Sequence, residues 1–550
     1  MHRESEVGES AGKHAANHAR RWIIVSSLPH ILASAFLAIT LLACSKPHTP
    51  DSNTVVFLIE TMPANLDPRI GTDAQSQRLH SLIFSSLLER DDNMDLRGDL
   101  ASRWESTDPL TYIFHLREHV YFHDGRPLTS ADVKYTFESI LSGDVRTPKR
   151  GAFRMVESVL APDPRTVVFR LKEPFASFLW NLARPSVGIV PRPRDGATEN
   201  PAAHPIGSGP FRFVSSRQDE EVVLEAASRT SQPSLPRVRF RIVPDATVRA
   251  LELRKGTADF ALNSINPDTV AVLASEPNLS LTQRAGTTYA YLAFNFEDPL
   301  LARREVRQAL AYATDRTTLI KHLMNHQARP ADSLLPPYHW AHAAAPPEFS
   351  YPYDPARAEV LLDSAGLPRS MGGSGSRLHL TLKTSTDETS RLIAAVLQDQ
   401  WRRVGIELEL RPLEFATLFS DVGRGNFQLY YLRWVGANND PDIFEYVFHS
   451  KKIPPDGANR GRYRNPQLDA LLDRARVEHH REKRKQLYAE VQRIVAEDLP
   501  YLSLWYPDNV CLHSRRITNV QLTPAGDYDF VAGIVVQRET TLKAQQHQPR

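Results

Sequence analysis

Leu378-His379-Leu380-Thr381-Leu382-Lys383-Thr384, a helical stretch over 391–404, then Gly405 and Ile406-Glu407-Leu408-Glu409-Leu410 decide the fold class. The first segment reads as a strand. In the second, Ile393, Val396, Leu397, Trp401 and Val404 recur at helical spacing and form an inner face. Gly405 supplies the left-handed residue that ends such a helix. Ile406, Leu408 and Leu410 then alternate, as in a strand with one buried face. Strand, helix and strand in that order imply an α/β lobe with parallel pairing.

The same reading extends outward. Residues 54–59 are apolar and β-branched and predict a buried strand. A helix is expected over 77–88. Tyr112, Phe114 and Leu116 share one face of a strand over 111–117. Phe122-His123-Asp124-Gly125-Arg126-Pro127 is a turn. Thr129 can cap the next helix, with Asp132 near its positive end and Val133, Phe137, Ile140 and Leu141 as its buried stripe. Residues 165–172 form another strand. Ile206-Gly207-Ser208-Gly209-Pro210-Phe211 is a glycine turn feeding a strand; without a following helix and lysine it is no phosphate loop. A strand over 289–296 and a helix over 305–313 follow, with Asp315 capping a successor. Residues 369–377 carry three glycines and read as a flexible loop. Residues 468–497 are mostly helical, and 500–505 is a strand. There is no internal repeat.

The 550 residues carry 66 basic and 64 acidic side chains, a net charge of +2, which argues against a dedicated nucleic-acid binder. Hydrophobic content of 41% suffices for large cores, and the length calls for two or three lobes. Arg20 and Arg21 precede an apolar run over 22–42 that ends at Leu41-Leu42-Ala43-Cys44. A charged start, an apolar core and a small-residue cut site predict a secretory signal over 1–43. Cys44 then becomes the first mature residue and an acyl acceptor; the segment resembles a bacterial lipoprotein lipobox, with Leu42 where a smaller residue is commoner. An uncleaved membrane anchor is the alternative, but Pro29, His30 and several serines interrupt the run. With Cys44 acylated, for instance by palmitate, Cys511 has no disulfide partner. No later apolar run approaches membrane length, so the body is expected to be soluble.

Several segments together resemble the dipeptide- and oligopeptide-binding subunits of ABC importers, family five of the extracellular solute-binding proteins. They are Asn65-Leu66-Asp67-Pro68, Asp99 through Glu105, Phe114-His115-Leu116-Arg117 through Asp132-Val133, Gly207 through Phe211, Phe294-Asn295, Val306 through Ala311, and Trp434 through Asp442. The resemblance implies a two-lobed periplasmic-binding-protein fold of class C type with an extra inserted domain. Its expected divisions are a tether over 44–53, a first lobe over 54–89, an inserted domain over 90–205, a return to the first lobe over 206–284, a second α/β lobe over 285–508, a last first-lobe segment over 509–540 and a polar tail over 541–550. It also implies a monomer tethered by lipid in the cell envelope. Such a protein holds a peptide or peptide-like solute between lobes that close on it, then docks on an ABC permease with its ATPase. Peptides, nickel complexes, haem, sugars and opines are cargo of the family.

In peptide-binding members a Trp-x-x-Asp pattern supplies the carboxylate for the peptide's ammonium. Here it reads Trp434-Val435-Gly436-Ala437, so Ala437 stands in the charged position, followed by Asn438, Asn439 and Asp440. A site without that carboxylate should not desolvate an ammonium. Asp440 could substitute, or serve as a loop cap. Trp434 and Gly436 would wall the site from one lobe; Glu60, Met62 and Asn65 lie where the first lobe meets ligand. Asn295 sits at a lobe crossing. Arg460 or Arg462 could receive a ligand carboxylate or phosphate. No catalytic, cofactor or metal site is expected: the serine-hydrolase and zinc motifs are missing, and Glu478, His479, His480 and Glu482 read as a solvated helix face. A lipid-anchored envelope hydrolase, or the same fold used for sensing or chaperoning, are the competing readings.

Overall fold

A computed structural model describes residues 53–91, 94–183, 187–194, 200–227, 235–369, 375–436 and 440–537. The signal segment, Cys44, the tether to residue 52, residues 370–374 of the glycine loop, Ala437, Asn438, Asn439 and the polar tail lie outside the described residues.

The stretch that decides the fold class behaves as its pattern requires. Strands Leu378–Ser385 and Ile406–Leu413 pair in parallel, with Leu378 opposite Ile406. The helix between them spans Glu388–Arg403, starting where Asp387 accepts a hydrogen bond from the Ser390 amide. Ile393, Leu397 and Trp401 are buried beneath it. Gly405 turns the chain at φ 84°, which an L side chain resists.

These strands end a mixed sheet of twelve described strands. From that edge the order runs through Leu429–Trp434 and Tyr289–Phe294 to the long strand Tyr501–Ser514, then Phe260–Leu262, Thr54–Ile59, Arg237–Ile242, Glu221–Ala226 and Phe211–Arg217. The long strand changes partners at its middle. Tyr501 to Pro507 pair with Tyr289–Phe294 and Ala328–Pro330. Asp508 to Ser514 pair with Leu279–Ala285 and Phe260–Leu262. Each half of the sheet has its own buried clusters, so two cores meet through crossing strands. Asn266 to Glu388 (3.2 Å) and Asn325 to Asp268 (2.9 Å) add polar contacts between the halves.

A third core lies under an antiparallel sheet ordered Ala101–Asp108, Thr111–Leu116, Thr166–Leu171, Val156–Asp163. Helix Ser130–Ser142 covers it, and Asp132 accepts from both the amide and the hydroxyl of Thr129 (2.9 and 2.8 Å). Tyr112, Phe114, Phe137 and Phe169 are buried together here, each contributing about 1.5–3 kcal/mol of transfer free energy. The glycine turn explains itself by contact: a Cβ on Gly207 would lie 1.9 Å from the Ile83 carbonyl, and the Gly209 amide donates to that same oxygen (2.9 Å).

Three expectations change. The helix expected over 77–88 is Ala74–Ile83, because Asp73 caps it early and Phe84 turns extended; Leu88–Arg90 is a strand. The region 468–497 is two helices, Pro466–Val477 and Arg481–Asp498. Glu478 and His480 therefore sit in the break between helices, where Glu478 accepts from the His480 amide (2.8 Å). The last strand runs on to Ser514. Cys511 is buried within it with a free thiol, pushed up by desolvation. No described helix is long and apolar enough to cross a membrane.

Candidate functional site

Tyr291, Tyr430 and Tyr501 come from three adjacent strands and are buried together. Tyr291 stacks on Tyr501 at 4.1 Å and lies edge-on to Tyr430 at 5.9 Å. Trp434 closes the row, parallel to Tyr291 at 6.3 Å. The three phenol oxygens and the Trp434 Nε1 are buried, with no hydrogen-bond partner among the described residues. Burial holds the Tyr291 and Tyr501 phenols well above their ordinary range, so both stay protonated donors at neutral pH.

Arg460 enters this group from the loop before helix Pro466–Val477. Asn459 anchors that loop. Its side chain donates to the Tyr463 and His449 carbonyls (2.7 and 3.2 Å) and accepts from the Tyr463 amide (3.0 Å). The Arg460 guanidinium lies 4.6 Å from the Phe419 ring centre and 5.1 Å from that of Trp434. Arg462 is used differently. It sits at φ 56°, pairs with Glu297 (3.2 Å) and donates to the Arg460 carbonyl (2.6 Å). Of the two arginines, Arg462 braces the loop and Arg460 faces the aromatic recess. Around that recess Phe415, Phe419, Val435 and Tyr446 are all more than two-fifths exposed, an apolar rim rather than a core.

Asp440 is buried and fully engaged. Arg484 grips both of its oxygens (2.7 and 2.9 Å) and also reaches Asp442 (3.0 Å). Tyr488 donates to Asp442 (2.5 Å), and the Ser177 hydroxyl lies against both carboxylates, 2.7 Å from Asp440. Arg484 holds the Asp440 carboxyl below its ordinary range against the opposing effect of burial, whereas burial pushes Asp442 up. Ser177 belongs to the section with the antiparallel sheet, so this cluster ties that section to the half carrying Trp434. Asp440 has no oxygen free of Arg484, and a cargo ammonium would have to displace that pair.

On the other half, Asn65 is spent on its own loop. Its side chain accepts from the Asp67 amide (2.8 Å), its amide donates to Ser76 (3.1 Å), and its carbonyl meets His80 Nε2 (3.1 Å). Glu60 and Met62 are half-buried, Met62 against the core of that half. Among the described residues no hydrogen bond or ion pair joins residues 60–65 to Trp434. Gly436 is exposed, at φ 63°. Asn295 is buried and donates to the Phe427 and Gly425 carbonyls (2.8 and 3.3 Å), which makes it a loop fastener. His123 meets the Gly209 carbonyl (3.0 Å) and supports the glycine turn. No group of three or more potential metal ligands occurs among the described residues. The tyrosine row, Phe419, Arg484 and Ser177 were not legible as a set, since their positions span more than 300 residues.

The sequence profile described as "Bacterial extracellular solute-binding proteins, family 5 Middle" matches residues 95–454. The chain belongs to this family. This family 5 protein is 28% identical over 530 residues to a glutathione-binding protein, GsiB, of Pectobacterium atrosepticum, covering 93% of this chain and 97% of the relative. It is 28% identical over 523 residues to a haem-binding protein A of Haemophilus influenzae, covering 90% and 94%. Its fold matches the oligopeptide-binding protein AppA of Bacillus subtilis, solved with a nonapeptide, at TM-score 0.73 and 25% identity, over 88% of this chain and 99% of that one. The family and these relatives are binding proteins, not enzymes. The family 5 protein has the mixed α/β architecture of periplasmic binding proteins.

Proposed function

We propose that this family 5 protein is the lipid-anchored substrate-binding subunit of an ABC importer. It captures one peptide or peptide-like solute between its two sheet halves and delivers it to a membrane permease. The observation that carries the reading is the aromatic recess at Trp434: buried polar groups without partners among the described residues, beside an exposed apolar rim. Ligand sites combine apolar walls with a few convergent polar groups in this way. Crossing strands between two separate cores give the hinge on which such lobes close. Glu60 and Met62 are then on the facing wall, and Trp434, Gly436 and Arg460 on the near one, with Arg462 bracing the Arg460 loop and Asn65 its own. Because residue 437 is alanine and Asp440 is held by Arg484, free-amine peptides are poor cargo, and N-blocked or amine-free solutes are favoured.

The anchor is Cys44, and two acyl chains are needed for stable attachment. Replacing Cys44 with Ser should release the protein from membranes; continued sedimentation with membranes at unchanged mass refutes the anchor. For capture, a matched pair of peptides, one free and one acetylated at its amine, is titrated by calorimetry. Tighter binding of the acetylated form is expected. Tight binding of the free-amine form would show that a carboxylate does serve as its anchor.

A further inference from the structure

We infer that Arg460 is the seat for a single carboxylate of the cargo, held between the Trp434 and Phe419 rings. This inference rests on the proposed reading of the recess as the capture site and adds the chemistry of what is captured.

The argument begins with an unbalanced charge. Arg460 is 9% exposed, yet no carboxylate among the described residues pairs with it, and residues 437–439 are Ala, Asn and Asn, without an acid. Its charged neighbours in the same loop are satisfied elsewhere: Arg462 by Glu297, and Lys452 by Glu445 (3.2 Å). The phenols of Tyr430, Tyr291, Tyr501 and Tyr446 lie within electrostatic reach of the guanidinium. Stacking between two rings stabilises a guanidinium but leaves its in-plane N–H donors unused. A buried cation without an anionic partner is costly.

The surplus is of donors. The Trp434 Nε1 is donor only, each phenol carries one donor, and Arg460 adds a fork of donors. Such a recess is rich in donors and holds no negative charge among the described residues, the phenol oxygens being its neutral acceptors. A planar carboxylate supplies that charge through two parallel N–H···O bonds to the guanidinium. A phosphate dianion fits less well, because the recess offers one cation and Arg462 is committed to its brace. The loop is already rigid through Asn459 and through Arg462 on the Arg460 carbonyl, so the guanidinium is placed before cargo arrives. The same half therefore lacks the family's anchor for an ammonium at residue 437 and carries one for an anion at Arg460.

The test uses matched acetylated peptides that end in a free carboxylate or in a carboxamide, with simple dicarboxylates as a third arm. Retention by the full-length protein is read by native mass spectrometry for wild type and Arg460→Gln. Wild type should retain the carboxylate form over the amide by roughly tenfold or more, and Arg460→Gln should bring the ratio near one. Arg460→Lys keeps the charge without the fork and should give an intermediate ratio, which covers the case in which the glutamine variant fails to fold. Equal retention by wild type, or an unchanged ratio in both variants, overturns the assignment while leaving capture of peptides intact. Retention of dicarboxylates alone, lost in the Arg460 variants, upholds the assignment and overturns the peptide reading. If wild type retains no probe of any arm, both fall.

Discussion

Replacing Arg484 with Gln should destabilise the protein by about 3–5 kcal/mol near neutral pH, the cost of removing one partner from a buried ion cluster. The side chain is 4% exposed and makes three bonds to two carboxylates, one to Ser177 (3.0 Å) and one to the Ala475 carbonyl (3.3 Å). Glutamine restores at most one or two neutral bonds and leaves Asp440 and Asp442 facing each other without a cation. Both carboxyls would then titrate above their unfolded values. A group with a raised folded pKa contributes stability fully below its unfolded value, about pH 4, and loses it as pH rises. In the wild type Asp440 is lowered by Arg484, so its contribution is present above that value and lost as pH falls. The deficit of the variant must therefore be largest near pH 7 and shrink toward pH 4. Urea unfolding by circular dichroism at both pH values measures it. Because Ser177 joins the cluster, amides of 177–182 should also exchange faster. A deficit below about 1 kcal/mol, or one equal at both pH values, would refute the reasoning.

Other outcomes follow from the same geometry. Ala437→Asp should improve binding of a free-amine peptide relative to its acetylated form by roughly a hundredfold, read by calorimetry; no change in preference would show that residue 437 does not face the cargo amine. His80 is buried against the Asn65 carbonyl and held down to about 3, chiefly by desolvation and then by Lys149. Its depressed value means that stability is present above about pH 6.5 and falls below it, by about 2 kcal/mol near pH 5. The variant His80→Gln should lose that acid slope in urea titrations; an unchanged slope would locate the acid sensitivity elsewhere.

The strand–helix–strand unit and its parallel pairing were legible where pattern and local chemistry agree. Residues 378–410 carry period two, then period 3.6, then period two, and a glycine at the only position needing φ 84°. Thr129 with Asp132 marked a helix start for the same local reason. Boundaries set by distant contacts were not legible. Helix formers run almost unbroken through 468–497, but the chain breaks at 478–480. There His479 meets Tyr112 (3.4 Å) and Arg481 meets Asp95 (2.6 Å), both from the antiparallel section. The site divides in the same way. The sequence names Arg460 and Arg462 together, and only Glu297, far along the chain, separates their roles. Asp440 reads as a free loop acid until Arg484, 44 residues on, is placed against it. The tyrosine row follows from strand order, which no local pattern contains.

The most direct test of the capture reading is thermal unfolding of protein unfolded, dialysed free of solutes and refolded, then titrated with the small-solute fraction of a bacterial extract. A ligand that binds only the native state raises the melting temperature by mass action. The account predicts a saturable rise, with one small carboxylate-bearing solute retained per chain by native mass spectrometry. No rise with any fraction, from protein that has regained its native circular dichroism, would contradict it.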